Sequence, residues 1–329
     1  MFCHMIPRET ISAYVKTRLP QRIRFLQVTV PPEGSHLVDE KARLKYMDKF
    51  GIDVEVLAFS QVGELWQTLS EGEKLRFTKI VNDSMAAVAN RNPGRLVASA
   101  VLPVLGGEAV DELVRAIEEL GLKGCMIYSN VGGKPLDSPE FLPFFQKMAK
   151  YDLPIFIHPT NWKYYDWVFD YQLLQIFGWP FDTSLAMGRL VFGGIMEKFP
   201  NLKVIAHHLG GMIPSQGERI AGFYEEAKEN PELLAHYFPN SRSLKKSPLE
   251  YFKRFYGDTA VEGSVSALRC GCEFFGTDRV VFATDYPFGP QNGESYTRAA
   301  LECIRKSGLS KEDQEKILEK NARRLLRIK

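Results

Sequence analysis

Short apolar runs alternate with longer amphipathic stretches along most of this chain. Each run has four to six residues and is rich in Val, Ile and Phe, which is the pattern of a buried strand. In the stretches between the runs, apolar residues recur every three or four positions, which predicts helices with one buried face. Eight runs are predicted to be strands: 1–4, 54–59, 96–101, 124–127, 154–158, 203–207, 255–258 and 280–283.

Helices are predicted between successive strands, and two more close the chain. Ser138 followed by Pro139 is an N-cap with proline at the first helical position, and the sequence after Ser310 resembles a capping box, so both mark helix starts. The predicted helices are 40–50, 71–89, 109–120, 141–150, 184–199, 213–228 and 264–275, with two closing helices after Glu294.

Strict alternation of strand and helix, repeated eight times, is what a parallel (β/α)8 barrel requires. A doubly wound open sheet would use the same alternation. We favour the barrel because polar residues follow strands one, five, six and eight, and only a closed ring brings the ends of those strands to a common rim. The predicted fold is therefore α/β, a single (β/α)8 TIM-barrel domain over residues 1–329, with inserts after strands one and five.

Two segments interrupt the alternation. The first, 8–39, carries several arginines and is predicted to cover the rim after strand one. The second, 161–181, is dense in aromatic rings. Such rings suit a pocket for a flat organic substrate, and they equally suit packing of a loop onto the barrel or a dimer interface, so both alternatives stay open. The rings are Trp162, Tyr164, Tyr165, Trp167, Phe169, Tyr171, Phe177, Trp179 and Phe181.

Composition excludes several classes of protein. With 329 residues, 45% of them hydrophobic and 25% charged, the chain can bury a full core. A formal net charge of +2 gives no reason to expect nucleic acid or an anionic membrane as a partner. Because no apolar run reaches about 18 residues and the start lacks the sections of a signal peptide, we expect a soluble, cytoplasmic protein. Cysteines without a CxxC pair predict free thiols at Cys3, Cys125, Cys270, Cys272 and Cys303.

Histidine and aspartate residues stand at the ends of several predicted strands. His4 ends the first strand, His158 the fifth, and His207 and His208 the sixth, while Asp285 follows the eighth. A lone histidine at such a place is commonly a satisfied core residue. A cluster of buried polar side chains is costly, however, unless its members bind one another or a cation. The five positions therefore predict a metal-binding or acid–base site at the rim of the barrel.

Four short strings at these positions carry a family resemblance. In order, they match the first-, fifth-, sixth- and eighth-strand motifs of the amidohydrolase superfamily. The chain resembles the branch that contains 2-amino-3-carboxymuconate-6-semialdehyde decarboxylase and the γ-resorcylate and related benzoate decarboxylases, and the match runs nearly end to end. The strings are Phe2-Cys3-His4-Met5-Ile6-Pro7, Phe156-Ile157-His158-Pro159, Ala206-His207-His208-Leu209-Gly210-Gly211 and Ala283-Thr284-Asp285-Tyr286-Pro287-Phe288.

The resemblance implies a role for four of these residues. His4, His158 and Asp285 would bind a divalent metal, for which zinc is the first expectation and manganese the alternative. His208 would be the general acid or base, and Asp285 would relay its proton.

The resemblance also implies roles for two arginines. Arg43, in the helix before strand two, would grip a substrate carboxylate. Arg219, eleven residues after His208, matches an arginine that the semialdehyde decarboxylase lends to the neighbouring subunit, which implies a homodimer. A salt bridge on a helix surface is the alternative for both arginines, and it stays open.

One residue departs from the family pattern. Phe2 stands where relatives have a histidine or a glutamate, and phenylalanine cannot bind a metal. Three protein ligands remain, which still suffices for a catalytic zinc with water in the open positions. His207 is a candidate replacement, but it adjoins His208 on a predicted strand and is expected to point the opposite way. Met1 already lies in the predicted first strand, so a natural start further upstream stays open.

The function implied is metal-dependent chemistry on a small carboxylic acid. Non-oxidative decarboxylation of an aromatic or muconate-like acid is the first expectation, because the decarboxylases give the nearest pattern matches. The same residues with a metal-bound hydroxide would hydrolyse a lactone or amide, or hydrate a double bond. A barrel that binds a small acid without catalysis is a further alternative, because the first ligand is missing.

Overall fold

Eight parallel strands form the centre of the molecule and follow one another around it in chain order. The computed structural model describes residues 1–15, 34–60, 69–160, 166–240 and 244–328. The strands occupy the predicted positions. They are β1 (Phe2–Met5), β2 (Glu55–Phe59), β3 (Leu96–Ala98 and Ala100–Val101), β4 (Cys125–Tyr128), β5 (Pro154–His158), β6 (Lys203–Ala206), β7 (Tyr256–Asp258) and β8 (Val280–Val281).

Hydrogen bonds close these strands into a ring. β3 exchanges partners midway, because its first part pairs with β2 and its second part, after Ser99, pairs with β4. The ring closes where the amide of Phe2 donates to the carbonyl of Phe282 (3.2 Å) and the amide of His4 donates to the carbonyl of Tyr286 (2.7 Å). The structure therefore confirms the (β/α)8 TIM barrel and excludes the open sheet.

Helices surround the strands and agree with most of the predicted ranges. The helix predicted over 184–199 is two helices, because the chain turns at Gly194 in the left-handed conformation (φ 78°). No helix in the described ranges is long and apolar enough to cross a membrane. The helices are α1 (Arg8–Val15), α2 (Glu40–Phe50), α3 (Glu71–Arg91), α4 (Glu108–Glu118), α5 (Leu142–Tyr151), α6 (Trp179–Phe192), α7 (Ile195–Lys198), α8 (Ile213–Glu229), α9 (Pro231–Tyr237), α10 (Pro248–Phe252), α11 (Val265–Phe275), α12 (Glu294–Lys306), α13 (Lys311–Glu315) and α14 (Asn321–Leu326).

The helix α2 is fixed at both ends by caps that the sequence supplies. The side chain of Asp39 accepts hydrogen bonds from the amides of Lys41 (2.9 Å) and Ala42 (3.1 Å) at its start. Gly51 ends the helix in the left-handed conformation (φ 65°). Because the caps fix both ends of α2, the face of the helix that carries Arg43 is directed to the interior.

The two predicted inserts lie only partly within the described residues. Residues 16–33 of the first insert, and 161–165 of the second with Trp162, Tyr164 and Tyr165, lie outside them. The first insert begins with α1, and its predicted cover over the rim stays a prediction. The second insert continues through a 3-10 segment, Asp166–Gln172, and a π-helical turn, Leu174–Gly178, into α6.

Candidate metal and catalytic site

The barrel brings the five predicted site residues to one rim. The ring centre of His158 lies 5.1 Å from that of His4 and 5.5 Å from that of His207. The ring of His208 lies 6.3 Å from His207. Nε2 of His4 lies 2.9 Å from Oδ1 of Asp285. Residues that are as much as 281 positions apart in the sequence, from His4 to Asp285, are therefore neighbours in the fold.

Asp285 follows β8 in a left-handed backbone conformation (φ 57°), which is uncommon for any residue but glycine. Its side chain keeps 24% exposure, so the carboxylate is open to the rim. Burial by itself would raise the pKa of Asp285, but the hydrogen bond with His4 and the electrostatic attraction of the imidazoles around the carboxylate outweigh burial and lower it. Asp285 is therefore held as a carboxylate.

His158 is held in the tautomer that a metal requires. Its Nδ1 lies 2.8 Å from the carbonyl oxygen of Pro159, and a carbonyl only accepts, so Nδ1 carries the hydrogen and Nε2 keeps its lone pair. Burial is the main cause that places the pKa of His158 well below its ordinary value, and the neighbouring imidazoles of His4 and His207 lower it further. The ring is thus neutral and ready to act as a ligand.

His208 lies in a sharp turn that follows β6. The strand ends at Ala206, and His208 and Leu209 both take left-handed conformations (φ 53° and 55°). Gly211 completes the turn, and a Cβ there would lie 2.1 Å from the carbonyl oxygen of Pro180 at the start of α6, so the close approach requires glycine. The turn thus places the His208 side chain beside α6.

The surroundings of His208 suit a proton-transfer residue. Its ring stacks on Trp179 with centres 6.5 Å apart. Its Nδ1 is buried and has no hydrogen-bond partner within the part of the chain that the structure describes. Burial lowers the pKa of His208, so the neutral ring can accept a proton and release it again.

His207 forms a buried pair with an aspartate that sequence reasoning missed. Nδ1 of His207 lies 2.5 Å from Oδ2 of Asp258, the last residue of β7. The other oxygen of Asp258 accepts from the amide of Ala260 (3.1 Å). Asp258 carried a signal in the sequence, because it ends an apolar run at the same level as the other site residues.

The prediction that His207 points away from the site is wrong. Strict alternation holds only within a strand. Because β6 ends at Ala206, His207 already belongs to the turn and its ring lies beside those of His158 and Phe2.

Phe2 fills the space between these rings with apolar surface. It stacks on Phe156 (4.8 Å between centres), lies 4.7 Å from the ring of His207 and lies 5.8 Å from that of His4. The residue that departs from the family pattern therefore faces the site and belongs to its inner wall.

The three predicted ligands fit a divalent cation in type, and two of them, His4 and His158, also have a suitable spacing. Two imidazoles that bind one cation at about 2.1 Å have ring centres roughly 5 Å apart, and His4 and His158 have that spacing. Two imidazoles and a carboxylate are a donor set of catalytic zinc sites. In the described residues no three His, Cys, Asp or Glu side chains already surround an ion position. The facing atoms of His4 and Asp285 instead bond each other, and a bound ion would separate them.

The Arg43 side chain is not exposed, as contact with a substrate would require. Its side chain is fully buried, and Nε lies 2.7 Å from Oε2 of the equally buried Glu55. Its two terminal nitrogens donate to the carbonyls of His36 (2.7 Å) and His4 (2.8 Å). These contacts contradict the expectation that Arg43 grips a substrate carboxylate, and they also exclude the surface salt bridge. Arg43 instead joins α2 to β1 and β2.

Arg219 lies on the exposed side of α8. Its guanidinium stacks over the ring of Phe223, 4.9 Å from the ring centre, and Phe223 is itself exposed. Neither residue is buried, so the Arg219 guanidinium lies at the surface.

The described aromatic rings of the second insert divide into two groups. Trp179 lies at the site, against both His158 and His208. The other described rings of the insert are largely exposed: Trp167, Phe169, Tyr171, Phe177 and Phe181.

Another buried carboxylate, that of Asp182, supports the loop that follows His158. Oδ2 of Asp182 accepts from the amide of Thr160 (2.8 Å) and from the hydroxyl of Ser129, which follows β4. Burial raises the pKa of Asp182 to about 6. No sequence pattern marked this contact, because its members come from three separate elements.

Comparisons with known proteins identify the family of this chain. The amidohydrolase family profile matches residues 28–328. The 2-amino-3-carboxymuconate-6-semialdehyde decarboxylase of Dictyostelium discoideum is 33% identical over 290 residues, which are 88% of this chain and 76% of that protein. The γ-resorcylate decarboxylase of Polaromonas sp. is 28% identical over 91% of this chain and 90% of its own length.

The fold also matches a solved structure over nearly its whole length. The 5-carboxyvanillate decarboxylase of Novosphingobium aromaticivorans, crystallised with manganese bound, superposes with a TM-score of 0.83 at 23% identity. The match covers 99% of this chain and 96% of that one. At this identity the similarity is one of fold.

Proposed function

Because this chain belongs to the amidohydrolase family, we propose that it is a metal-dependent, non-oxidative decarboxylase of an aromatic or muconate-like carboxylic acid. The observation that carries the proposal is the meeting of His4, His158 and Asp285 at one rim of the barrel, where His208 follows His207. The similar proteins named above are decarboxylases, which favours loss of CO2 over hydrolysis or hydration.

The metal would be held by Nε2 of His4, Nε2 of His158 and the carboxylate of Asp285. A bound divalent cation supplies positive charge beside the oxygens of the substrate and favours its binding and orientation. Zinc suits the donor set, and manganese is the alternative because these imidazole and carboxylate donors also accept it.

The reaction needs one proton and no oxidant. The bond between the ring carbon and the carboxylate carbon breaks, CO2 leaves, and a proton takes its place on the ring carbon. Water would supply that proton to His208, and His208 would pass it to the carbon, because burial lowers its pKa and a weakly basic imidazole gives its proton up readily. Asp285 would complete the proton path, and Trp179, stacked on His208, would offer a flat face to the substrate ring.

A homodimer would complete the site. Arg219 is exposed on α8, and exposed rings continue along the second insert and α6. The starts of α6 and α8 are joined, since the hydroxyl of Ser184 accepts from the amide of Met212 (2.8 Å). An apolar surface of this kind beside an arginine suits a second copy of the chain, whose site Arg219 would enter to bind the substrate carboxylate.

Product analysis tests the proposed reaction. Purified protein loaded with Mn²⁺ or Zn²⁺ would be given 2,6-dihydroxybenzoate, 5-carboxyvanillate and the carboxymuconate semialdehyde under argon in D₂O. We expect CO₂ and the decarboxylated product in equal amounts, with one deuterium on the carbon that bore the carboxylate, and no reaction in His208→Ala. Hydrolysis of a lactone or amide panel without CO₂ release from any acid would overturn the proposal.

A further inference from the structure

An unused imidazole nitrogen lies beside the predicted metal position. Nε2 of His207 is buried and has no hydrogen-bond partner among the described residues. The His207 side chain is 6% exposed, and the ring of Phe2 packs against it at 4.7 Å, so water has little access. A buried polar atom without a partner is rare in proteins and calls for a ligand.

Asp258, which faces Nδ1 of His207, fixes the tautomer of the His207 ring. Oδ1 of Asp258 accepts from the amide of Ala260, and Oδ2 faces Nδ1 of His207 at 2.5 Å. A carboxylate that already accepts an amide hydrogen acts here as an acceptor again, so Nδ1 of His207 carries the hydrogen. Nε2 is then left with its lone pair. A carboxylate behind a histidine is the usual support of a metal-bound imidazole, because it sets the tautomer and raises the basicity of the ligating nitrogen.

The position of the ring agrees with this role. The ring centres of His207 and His158 are 5.5 Å apart, close to the roughly 5 Å expected for two imidazoles on one cation. The two rings are inclined at 67°, so they do not stack face to face. His158 thus has two histidine rings near it, His207 and, at 5.1 Å, His4.

We infer that Nε2 of His207 is a further ligand of the divalent metal, with Asp258 as its supporting carboxylate. The inference rests on the proposed metal site. It gives the ion three imidazoles and one carboxylate, and it accounts for Phe2: with a ligand supplied from the turn after β6, the first strand can carry an apolar residue that shields His207 from water.

Metal affinity measured on the apoprotein tests this ligand without any assay of activity. Mn²⁺ binding would be followed by titration calorimetry and by pulsed EPR, which counts the imidazole nitrogens on the ion. His207→Gln and Asp258→Asn keep similar volume and polarity. His236→Gln, in the exposed α9, is the matched control. His158→Gln tests the proposed site itself, and circular dichroism verifies that each variant is folded.

We expect three imidazoles on the ion in the unmodified protein and two in His207→Gln. Asp258→Asn should weaken Mn²⁺ binding about 10- to 100-fold, His207→Gln at least as much, and His236→Gln not at all. Two imidazoles in both the unmodified protein and a folded His207→Gln, with unchanged affinity, would overturn the inference. If His207→Gln had no effect but His158→Gln lost Mn²⁺ binding, only the inference about His207 would fail and the proposed function would stand. Unchanged Mn²⁺ binding in His158→Gln would refute the metal site as a whole.

Discussion

Nε of Arg43 lies 2.7 Å from Oε2 of Glu55, and both side chains are completely buried. The same guanidinium donates to the carbonyl of His4, so one residue ties α2 to β2 and to the strand that carries a predicted metal ligand. A buried ion pair stabilises little relative to an apolar pair, but removal of one partner leaves an uncompensated charge.

Arg43→Ala should therefore lower the free energy of unfolding by about 3–5 kcal/mol. The measurement is chemical denaturation. The control is Arg91→Ala, whose side chain is 46% exposed. Removal of its surface ion pairs should cost no more than about 1 kcal/mol. If Arg43→Ala kept full stability and changed only the KM for a carboxylic acid, the expected substrate contact would be right after all.

Asp182 gives the protein a pH dependence with a defined sign. Burial raises the pKa of Asp182 to about 6, whereas the unfolded chain has the ordinary value of about 4. Between these values the folded state holds more protons than the unfolded state, so the contribution of Asp182 to stability is greatest below about pH 4 and declines as pH rises to about 6.

Comparison with Asp182→Asn isolates this contribution, since the amide does not titrate. The unfolding free energy of the unmodified protein, minus that of Asp182→Asn, should fall by roughly 3 kcal/mol between about pH 4 and pH 6 and stay level above. Asp278→Asn, at an exposed carboxylate, is the control. A difference in unfolding free energy that rises with pH would contradict the raised pKa of Asp182.

Mixed dimers test whether Arg219 acts on the neighbouring subunit. His208→Ala and Arg219→Ala are each expected to be inactive alone. When the two are unfolded together and refolded in equal amounts, half of the dimers are hybrids, and each hybrid has one site with both His208 and a neighbour's Arg219. Decarboxylase activity should then return to about a quarter of the unmodified level. No recovery in verified hybrids would show that the arginine does not act between subunits.

The thiols should differ sharply in reactivity. Burial raises the pKa of the Cys3 and Cys125 thiols far above their ordinary value and that of Cys272 to about 11. Cys303 is buried too, whereas Cys270 is partly exposed. At pH 8 a thiol reagent should modify one cysteine of the folded protein and all five only in denaturant. Cys270→Ser should abolish the reaction of the folded protein, and fast labelling at another position would contradict the burial pattern.

The barrel could be predicted from the sequence because its signals are local. Strand and helix periods repeat eight times, and caps such as Ser310 mark helix starts where the structure has them. Closure of the sheet into a ring could be predicted because polar residues stand at the ends of strands that are distant in the sequence. The break at Gly194 was missed, because the helical period continues through the adjacent glycines Gly193 and Gly194.

The site was predicted less completely, since its contacts are long-range. The convergence of His4, His158, His208 and Asp285 could be anticipated from strand ends alone. The orientation of His207 could not, because it depends on where β6 stops and on left-handed conformations at His208 that no residue type there signals. The burial of Arg43 depends on Glu55, a partner that no sequence spacing identifies.

The metal content of the purified protein tests the central claim most directly. Elemental analysis after incubation with Mn²⁺ or Zn²⁺ and removal of excess ion should give one metal per chain in the unmodified protein. Folded His158→Ala and Asp285→Ala should each retain much less. Full metal retention in both variants, or a protein that binds neither ion, would contradict the account of this rim as a metal-dependent active site.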